Sequence, residues 1–173
     1  MPSVHELLEH GALGACDVVG ANAHVWGLPL VDNQGRIEIG RDFEMSAMPV
    51  RSHIATGQGG FLRIGDRVRI AHGSAITAYS LIEIGDDVDV GPFVMILDVD
   101  FHGTEDRAEL AEPRPIHIGS HVRIGAGAVI LRGARIDDGA RILPQSVVAR
   151  HVPAGARFGG APARPMSEPP GKA

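Results

Sequence analysis

Aliphatic residues recur at every sixth position near the middle of the chain: Ile118, Ile124, Ile130, Ile136, Ile142 and Val148. Small or short branched residues stand four places after them, at Val122, Ala128, Ala134, Ala140 and Ser146. Gly119 and Gly125 directly follow two of the aliphatic positions. A period of six matches neither a helical stripe nor plain strand alternation. A fixed short period marks a repeat, and hexapeptide repeats build parallel β-helices. Each hexapeptide is then one short strand plus a corner. The aliphatic side chain points inward, the small residue fits the corner, and glycine permits backbone angles closed to other residues. Three hexapeptides make a triangular coil, and coils stack at strand spacing, about 4.8 Å.

The same count extends towards the N-terminus through Ile64, Ile70 and Ile76. After two extra residues it continues through Ile84, Val90 and Ile96. Further upstream, Val25-Trp26-Gly27-Leu28-Pro29-Leu30-Val31 predicts a strand and Asp32-Asn33-Gln34-Gly35 a turn. Ile37-Glu38-Ile39-Gly40 begins the first coil, with Met45 six residues after Ile39. Residues 46–60 follow the count loosely, residues 12–23 show no clear period, and residues 3–10 suit a short helix with Leu7 and Leu8 on a weakly apolar side. The regular position after Ile96 is 102, yet the pattern re-enters at Ile118, which leaves 118 − 102 = 16 extra residues. That interval holds Gly103, Thr104, Glu105, Asp106, Arg107, Glu112, Pro113, Arg114 and Pro115, and predicts an excursion from the prism. Long loops in compact repeats are usually functional. The expected organisation is a single all-β domain: an N-terminal segment over 1–24, a β-helix over 25–164 with a loop at 102–117, and a mobile, Pro-rich tail over 165–173.

Composition narrows the picture. A length of 173 residues suits one domain. Hydrophobic residues make up 44 % but aromatics only 4 %, which suits a narrow prism filled with Ile, Val, Leu and Ala rather than an ordinary globular core. A net charge of −5 provides no broad basic field for nucleic acid. Cys16 is the only cysteine, so no intrachain disulfide forms and a reducing compartment is expected. The N-terminus has no signal-peptide pattern and no apolar run approaches a membrane span, so a soluble cytoplasmic protein is expected.

Candidate chemistry lies at the root of the excursion, in Leu97-Asp98-Val99-Asp100-Phe101-His102-Gly103. Here the sequence resembles the hexapeptide-repeat O-acetyltransferases of sugars and surface polysaccharides, relatives of the maltose and galactoside acetyltransferases. Three blocks carry the resemblance. The first is Gly27-Leu28-Pro29 through Asn33, Gly35 and Ile37-Glu38-Ile39-Gly40. The second is Asp98-Val99-Asp100-Phe101-His102 with the following loop and Arg107. The third is Gly160-Ala161-Pro162-Ala163-Arg164. Together they span residues 25–164.

The resemblance implies a left-handed β-helix, an acetyl-CoA-dependent transferase, and a homotrimer with each active site between neighbouring subunits. It places His102 where the family has its catalytic base. A sugar hydroxyl is a poor nucleophile at neutral pH, so a base poised near neutrality must take its proton during attack on the thioester. The carboxylate of Asp98 or Asp100 can fix the imidazole tautomer. Backbone N–H groups of a neighbouring coil are candidates for the oxyanion donors. For the cofactor, the matching positions are Ala126, Pro144, Ala149, Arg150 and Arg164. Small residues let the pantetheine arm lie close to backbone, and arginines pair with phosphates through several donors. The family usually has a small residue at the place of Pro144 and often Trp at the place of Arg123. On the acceptor side, relatives often carry Asn where Ala71 stands, so His72 and Arg107 are the candidate acceptor contacts, with Trp26 and Tyr79 available for stacking on a sugar ring. No metal is expected.

Three other readings remain open at this stage. The same fold and cofactor serve sugar N-acetyltransferases. The γ-class carbonic anhydrases share the fold and bind zinc through three histidines. Here, however, Thr77 and Arg36 stand at two of the ligand positions, and His117 and His121, four apart, need not converge. A non-catalytic structural β-helix is the last alternative.

Overall fold

The computed structural model describes residues 11–100 and 112–167. The segments 3–10, 102–111 and 168–173, to which the sequence assigns a short helix, the excursion and the end of the tail, lie outside the described residues. The described chain is a left-handed parallel β-helix whose short strands fall into three sheets of seven, eight and six strands. Successive strands belong to the first, second and third sheet in turn, so every third strand stacks on its predecessor one coil below. Among the described residues the only antiparallel pairing is at the C-terminal end, where Arg164–Pro165 folds back on Arg157–Gly159 and covers the last coil.

The hexad aliphatics are the core. Ile70, Val90, Ile124 and Ile142 stack inward from the second sheet, and Ile54, Ile76, Ile96, Ile130 and Val148 from the third; all are buried. The small residues four places on are buried as well: Val122, Ala128, Ala134, Ala140 and Ser146 fill the corners. In the first sheet the longer strands place two aliphatics inside, as in Ile37 with Ile39, Leu62 with Ile64, and Ile82 with Ile84. Side chains two apart on a strand share a face.

That rule corrects two boundaries. The chain rejoins the prism in the strand Ile116–Ile118, with Ile116 and Ile118 both buried, so residues 116 and 117 are strand rather than loop. A hexad count locates only the second aliphatic of such a pair. At the other end, Val18–Val19 already pairs with Glu38 and Ile39, so the first sheet begins ahead of residue 25. Its two valines are exposed and carry no repeat signal. Residues 53–56, in the loosely periodic stretch, form a regular strand paired on both sides.

The outer faces differ in chemistry. On the first sheet Glu38, Arg63, Glu83 and His117 form a ladder of alternating acidic and basic side chains, with contacts of 3.5, 3.6 and 2.8 Å. On the second, Arg69 and Arg123 flank Asp89 at 2.7 and 3.8 Å. The third sheet presents Leu30, His53, Ala75, Met95, Val129 and Val147 in one register-aligned column, and Asp32, Ala55, Thr77 and Leu97 in the next. Two faces are ionic and one is largely apolar.

Candidate active site

The excursion leaves and rejoins the prism at the edge between the third and first sheets. Strand register aligns Leu97 with Thr77 below, and Ile96 with Ile130 and then Val148 above. Asp98 and Arg132 each lie two residues past those isoleucines, and Arg150 two past Val148. Asp98, Arg132 and Arg150 therefore fall in successive corners of that edge, the last corner being two residues shorter because His151 already pairs with Arg135.

Asp98 is buried, and both its oxygens are engaged by the corner of the preceding coil. Oδ1 accepts the Tyr79 N–H at 2.7 Å, and Oδ2 accepts those of Ser80 at 2.7 Å and Leu81 at 2.9 Å. Its carbonyl accepts the Arg114 N–H at 2.8 Å, and the Arg114 carbonyl in turn accepts the Gly133 N–H at 3.1 Å. The returning chain is thus docked between the coil it left and the coil it starts. A buried carboxylate without hydrogen bonds is costly, and this one satisfies three N–H groups that the turn leaves free.

Asp100 sits differently. It is partly exposed, and its Oδ2 accepts the Arg132 Nε–H at 2.6 Å. Its Oδ1 has no partner among the described residues. Of the two carboxylates expected beside the base, Asp98 is held by backbone and Asp100 has an oxygen to spare. His102 and Arg107 lie outside the described residues. Arg132 is the residue that sequence reading missed. The available signal is its count past Ile130, which equals that of Asp98 past Ile96.

The five positions matched to the cofactor fall on two edges and the cap. Ala126 and Pro144 lie at the edge between the second and third sheets. There a Cβ on Gly125 would stand 2.5 Å from the Pro144 nitrogen, and Gly127 takes a φ of 66°. Only a residue without a side chain fits such stacking. Ala149 and Arg150 lie on the excursion edge, exposed, and Arg150 has no side-chain partner among the described residues. Arg164 is exposed in the terminal hairpin. Ala126 and Pro144 are therefore separated from Asp100, Ala149 and Arg150 by the full width of the apolar third sheet.

His72 stands at the same edge as Ala126, two coils earlier in the chain, and meets the Phe93 ring edge-on at 5.3 Å. Trp26 is exposed at that edge, 6.4 Å from the His24 ring, rather than packed in the core. Tyr79 lies across the prism beside Asp98. His117 bonds Glu83 on the first sheet, whereas His121 stands at a corner 3.7 Å from Asp87, so the two do not converge. Among the described residues no group of three His, Cys, Asp or Glu side chains is placed to hold a metal. The Cys16 thiol is pushed up to about 11 by burial and by the Asp17 carboxylate, which keeps it protonated and unsuited to nucleophilic work. No helix among the described residues is long and apolar enough to cross a membrane.

The family model for bacterial transferase hexapeptide, six repeats, matches residues 115–150. Nodulation protein L of Rhizobium leguminosarum bv. viciae is 37 % identical over 150 residues, which cover 86 % of this chain and 75 % of that protein. Among solved structures, a galactoside acetyltransferase in complex with coenzyme A aligns with a TM-score of 0.65 at 26 % identity, over 97 % of this chain and 72 % of that one. A hexapeptide-repeat acetyltransferase from Vibrio cholerae, complexed with acetyl coenzyme A, aligns with a TM-score of 0.67 over 95 % of this chain and 78 % of that one. At 24 % identity that second likeness is one of fold alone.

Proposed function

Because this chain belongs to the hexapeptide-repeat acetyltransferase family, we propose that it transfers an acetyl group from acetyl-CoA to a hydroxyl of a sugar or glycan, with His102 as general base. The observation that carries this reading is the excursion. The hexapeptide count breaks once for 16 residues, and the break opens at Asp98-Val99-Asp100-Phe101-His102. Its root is held by three N–H groups on Asp98 and by Arg132 on Asp100.

In this mechanism His102 removes the acceptor hydroxyl proton as the oxygen attacks the thioester carbonyl carbon. A tetrahedral oxyanion forms, stabilised by backbone N–H donors. The carbon–sulfur bond then breaks, and the coenzyme A thiolate leaves and takes the proton from the imidazolium. No covalent enzyme intermediate is needed. Asp100, whose Oδ1 has no partner among the described residues, is the carboxylate suited to orient the imidazole. Ala126, Pro144, Ala149, Arg150 and Arg164 hold the cofactor, with the two arginines on phosphates. His72 and Arg107 contact the acceptor.

The active form in this reading is a homotrimer. The cofactor positions lie on two edges of one prism, on opposite sides of the third sheet, so one chain does not close a pocket from both. Packing the apolar third sheets around a threefold axis brings one edge of each chain to the other edge of its neighbour and buries the only face without an ionic ladder. In this reading the enzyme works in the cytoplasm, where acetyl-CoA is supplied.

The test is a panel of acetyl-CoA and carbohydrate acceptors, with products read by mass spectrometry before and after mild base. An acetyl ester is lost in base. A base-stable product formed only on amino sugars identifies an N-acetyltransferase instead, and no acetyl transfer to any carbohydrate overturns the reading.

A further inference from the structure

Arg132 reaches two segments of chain at once. Its Nε–H donates to Asp100 Oδ2 at 2.6 Å, and its Nη1 donates to the Glu112 carbonyl at 3.3 Å. In the chain, Asp100 precedes residues 101–111 and Glu112 follows them. Below them a backbone bond joins Arg114 to Asp98 at 2.8 Å. The two ends of the excursion are therefore drawn together twice, once by backbone at the depth of the sheet and once, farther out, by a single guanidinium.

A surface ion pair contributes little by itself. Two features separate this one from such pairs. The guanidinium side chain is only 29 % exposed. It uses two different nitrogens on two different segments, a geometry that the planar, multi-donor head of arginine provides and lysine does not. The pairing fixes the Asp100 carboxylate.

We propose that Arg132 is a positioning residue for acetyl transfer. It clamps Asp100 and Glu112 together and fixes the Asp100 carboxylate, the group assigned to orient the base. This rests on the assignment of His102 as base, and the experiment below separates the two.

The variants are Arg132→Gln, Arg132→Lys, Asp100→Asn, the Arg132→Gln/Asp100→Asn double and His102→Ala, each in the full-length protein. Two readouts are taken. One is kcat and KM with acetyl-CoA and the best acceptor of the panel. The other is the rate of tryptic cleavage after Arg107, the one tryptic site between Phe101 and Pro113, followed by intact mass. Displacing a reacting group by about 1 Å can cost on the order of 100-fold. Arg132→Gln is therefore expected to lower kcat roughly 10–100-fold, to leave the KM for acetyl-CoA within about twofold, and to speed cleavage after Arg107. Asp100→Asn should do the same, and the double variant should be no worse than the worse single, because both remove one clamp. Arg132→Lys should restore kcat only in part. A merely structural arginine would lower thermal stability without splitting kcat from KM. If Arg132→Gln leaves both kcat and the cleavage rate at wild-type values, the inference fails, and His102→Ala then decides the base on its own. If His102→Ala keeps full turnover while Arg132→Gln speeds cleavage, the base assignment fails and the clamp stands. Should Arg132→Gln not fold, Arg132→Lys against wild type decides through the same two readouts, unchanged values again overturning the clamp.

Discussion

The Asp98 carboxylate accepts the backbone N–H of Tyr79 at 2.7 Å, which ties the residue that opens the excursion to the corner of the coil beneath it. Ser80 and Leu81 donate to the other oxygen. The last hexapeptide before the break is thus held by the turn before it, and the long insertion does not loosen the prism.

This makes Asp98 foremost a stability residue. Asp98→Ala leaves three N–H groups of a buried corner without an acceptor and should cost roughly 2–4 kcal/mol. Asp98→Asn should cost less, since the amide oxygen can keep two N–H groups while its NH₂ meets the third as donor against donor. Urea unfolding checks this: the midpoint should fall with the slope unchanged. Asp100→Asn, at the exposed root, should shift the midpoint little and act on turnover. If the two effects are reversed, Asp98 is the orienting carboxylate.

The third sheet supports a prediction about assembly. Val129 and Met95 stand side by side on its outer face, in a column with Val147 and Leu30. A charge there should oppose burial between chains, so Val129→Glu should dissociate the oligomer and abolish turnover while the fold survives. Arg135→Glu on the ionic first sheet should leave assembly intact. Light scattering at micromolar concentration should give three times 18.2 kDa for wild type. A wild-type monomer that turns over would refute the intersubunit site.

Much of the prism was legible from one rule: the hexad aliphatics and their small partners four places on are the buried positions. Two things were less legible for physical reasons. Strand ends such as Val18–Val19 and Ile116 sit outside the six-residue count because they carry no complete corner. The faces were harder still, because the count is the same on all three. The signal lay one residue earlier: Arg123-Ile124, Val129-Ile130, Arg135-Ile136, Arg141-Ile142, Val147-Val148. The residue before the aliphatic is valine at every third hexapeptide and arginine between, which marks one apolar face. The Asp100–Arg132 pair depends on the same stacking across 32 residues and leaves no local trace.

Stacking also sets the cost of a hole. Ile130 is fully buried between Ile96 below and Val148 above, in neighbouring strands of the third sheet. Ile130→Ala should destabilise by roughly 2–5 kcal/mol, because strands tied on both sides cannot close over the cavity. Urea unfolding measures it, and a cost below about 1 kcal/mol would mean that the coils can settle into the gap.

Acid should weaken the prism. Four carboxylates are held below their ordinary value of 3.8: Asp17 by the Ile37 N–H and the Asn33 amide, and Asp66 by the Arg41 N–H and guanidinium. Asp87 is lowered by the Arg67 guanidinium, and Asp137 by His151 and then Arg135. A carboxylate depressed in the folded state stabilises above the unfolded value, and that stability is lost as pH falls through the folded value. Thermal midpoints should therefore stay nearly level from neutrality down to about pH 5 as far as these groups are concerned, and drop on acidification through and below 3.8. High salt should shrink the drop, because all four groups are at least partly open to solvent. A midpoint that rises on acidification through this range would contradict the assignment.

The base itself is the sharpest test. His102 is the residue at which the regular count lapses, two places after Asp100, in the block that resembles the catalytic loop of the family. A general base contributes about 10²–10⁴-fold, so His102→Ala should lower kcat by roughly that factor while acetyl-CoA affinity stays near wild type. The arginines assigned to the cofactor behave oppositely: Arg164→Ala should weaken acetyl-CoA binding by roughly 1.5–3 kcal/mol through the loss of a charge-assisted hydrogen bond, with kcat at saturation little changed. The wild-type rate should rise with pH through the imidazole titration, because only the neutral ring accepts the acceptor proton. That rise should be absent in His102→Ala, whose residual rate comes from binding the two substrates together. If turnover by His102→Ala stays within about threefold of wild type, where a base should cost at least 10², the base lies elsewhere, and His72 beside Phe93 is the next residue to replace.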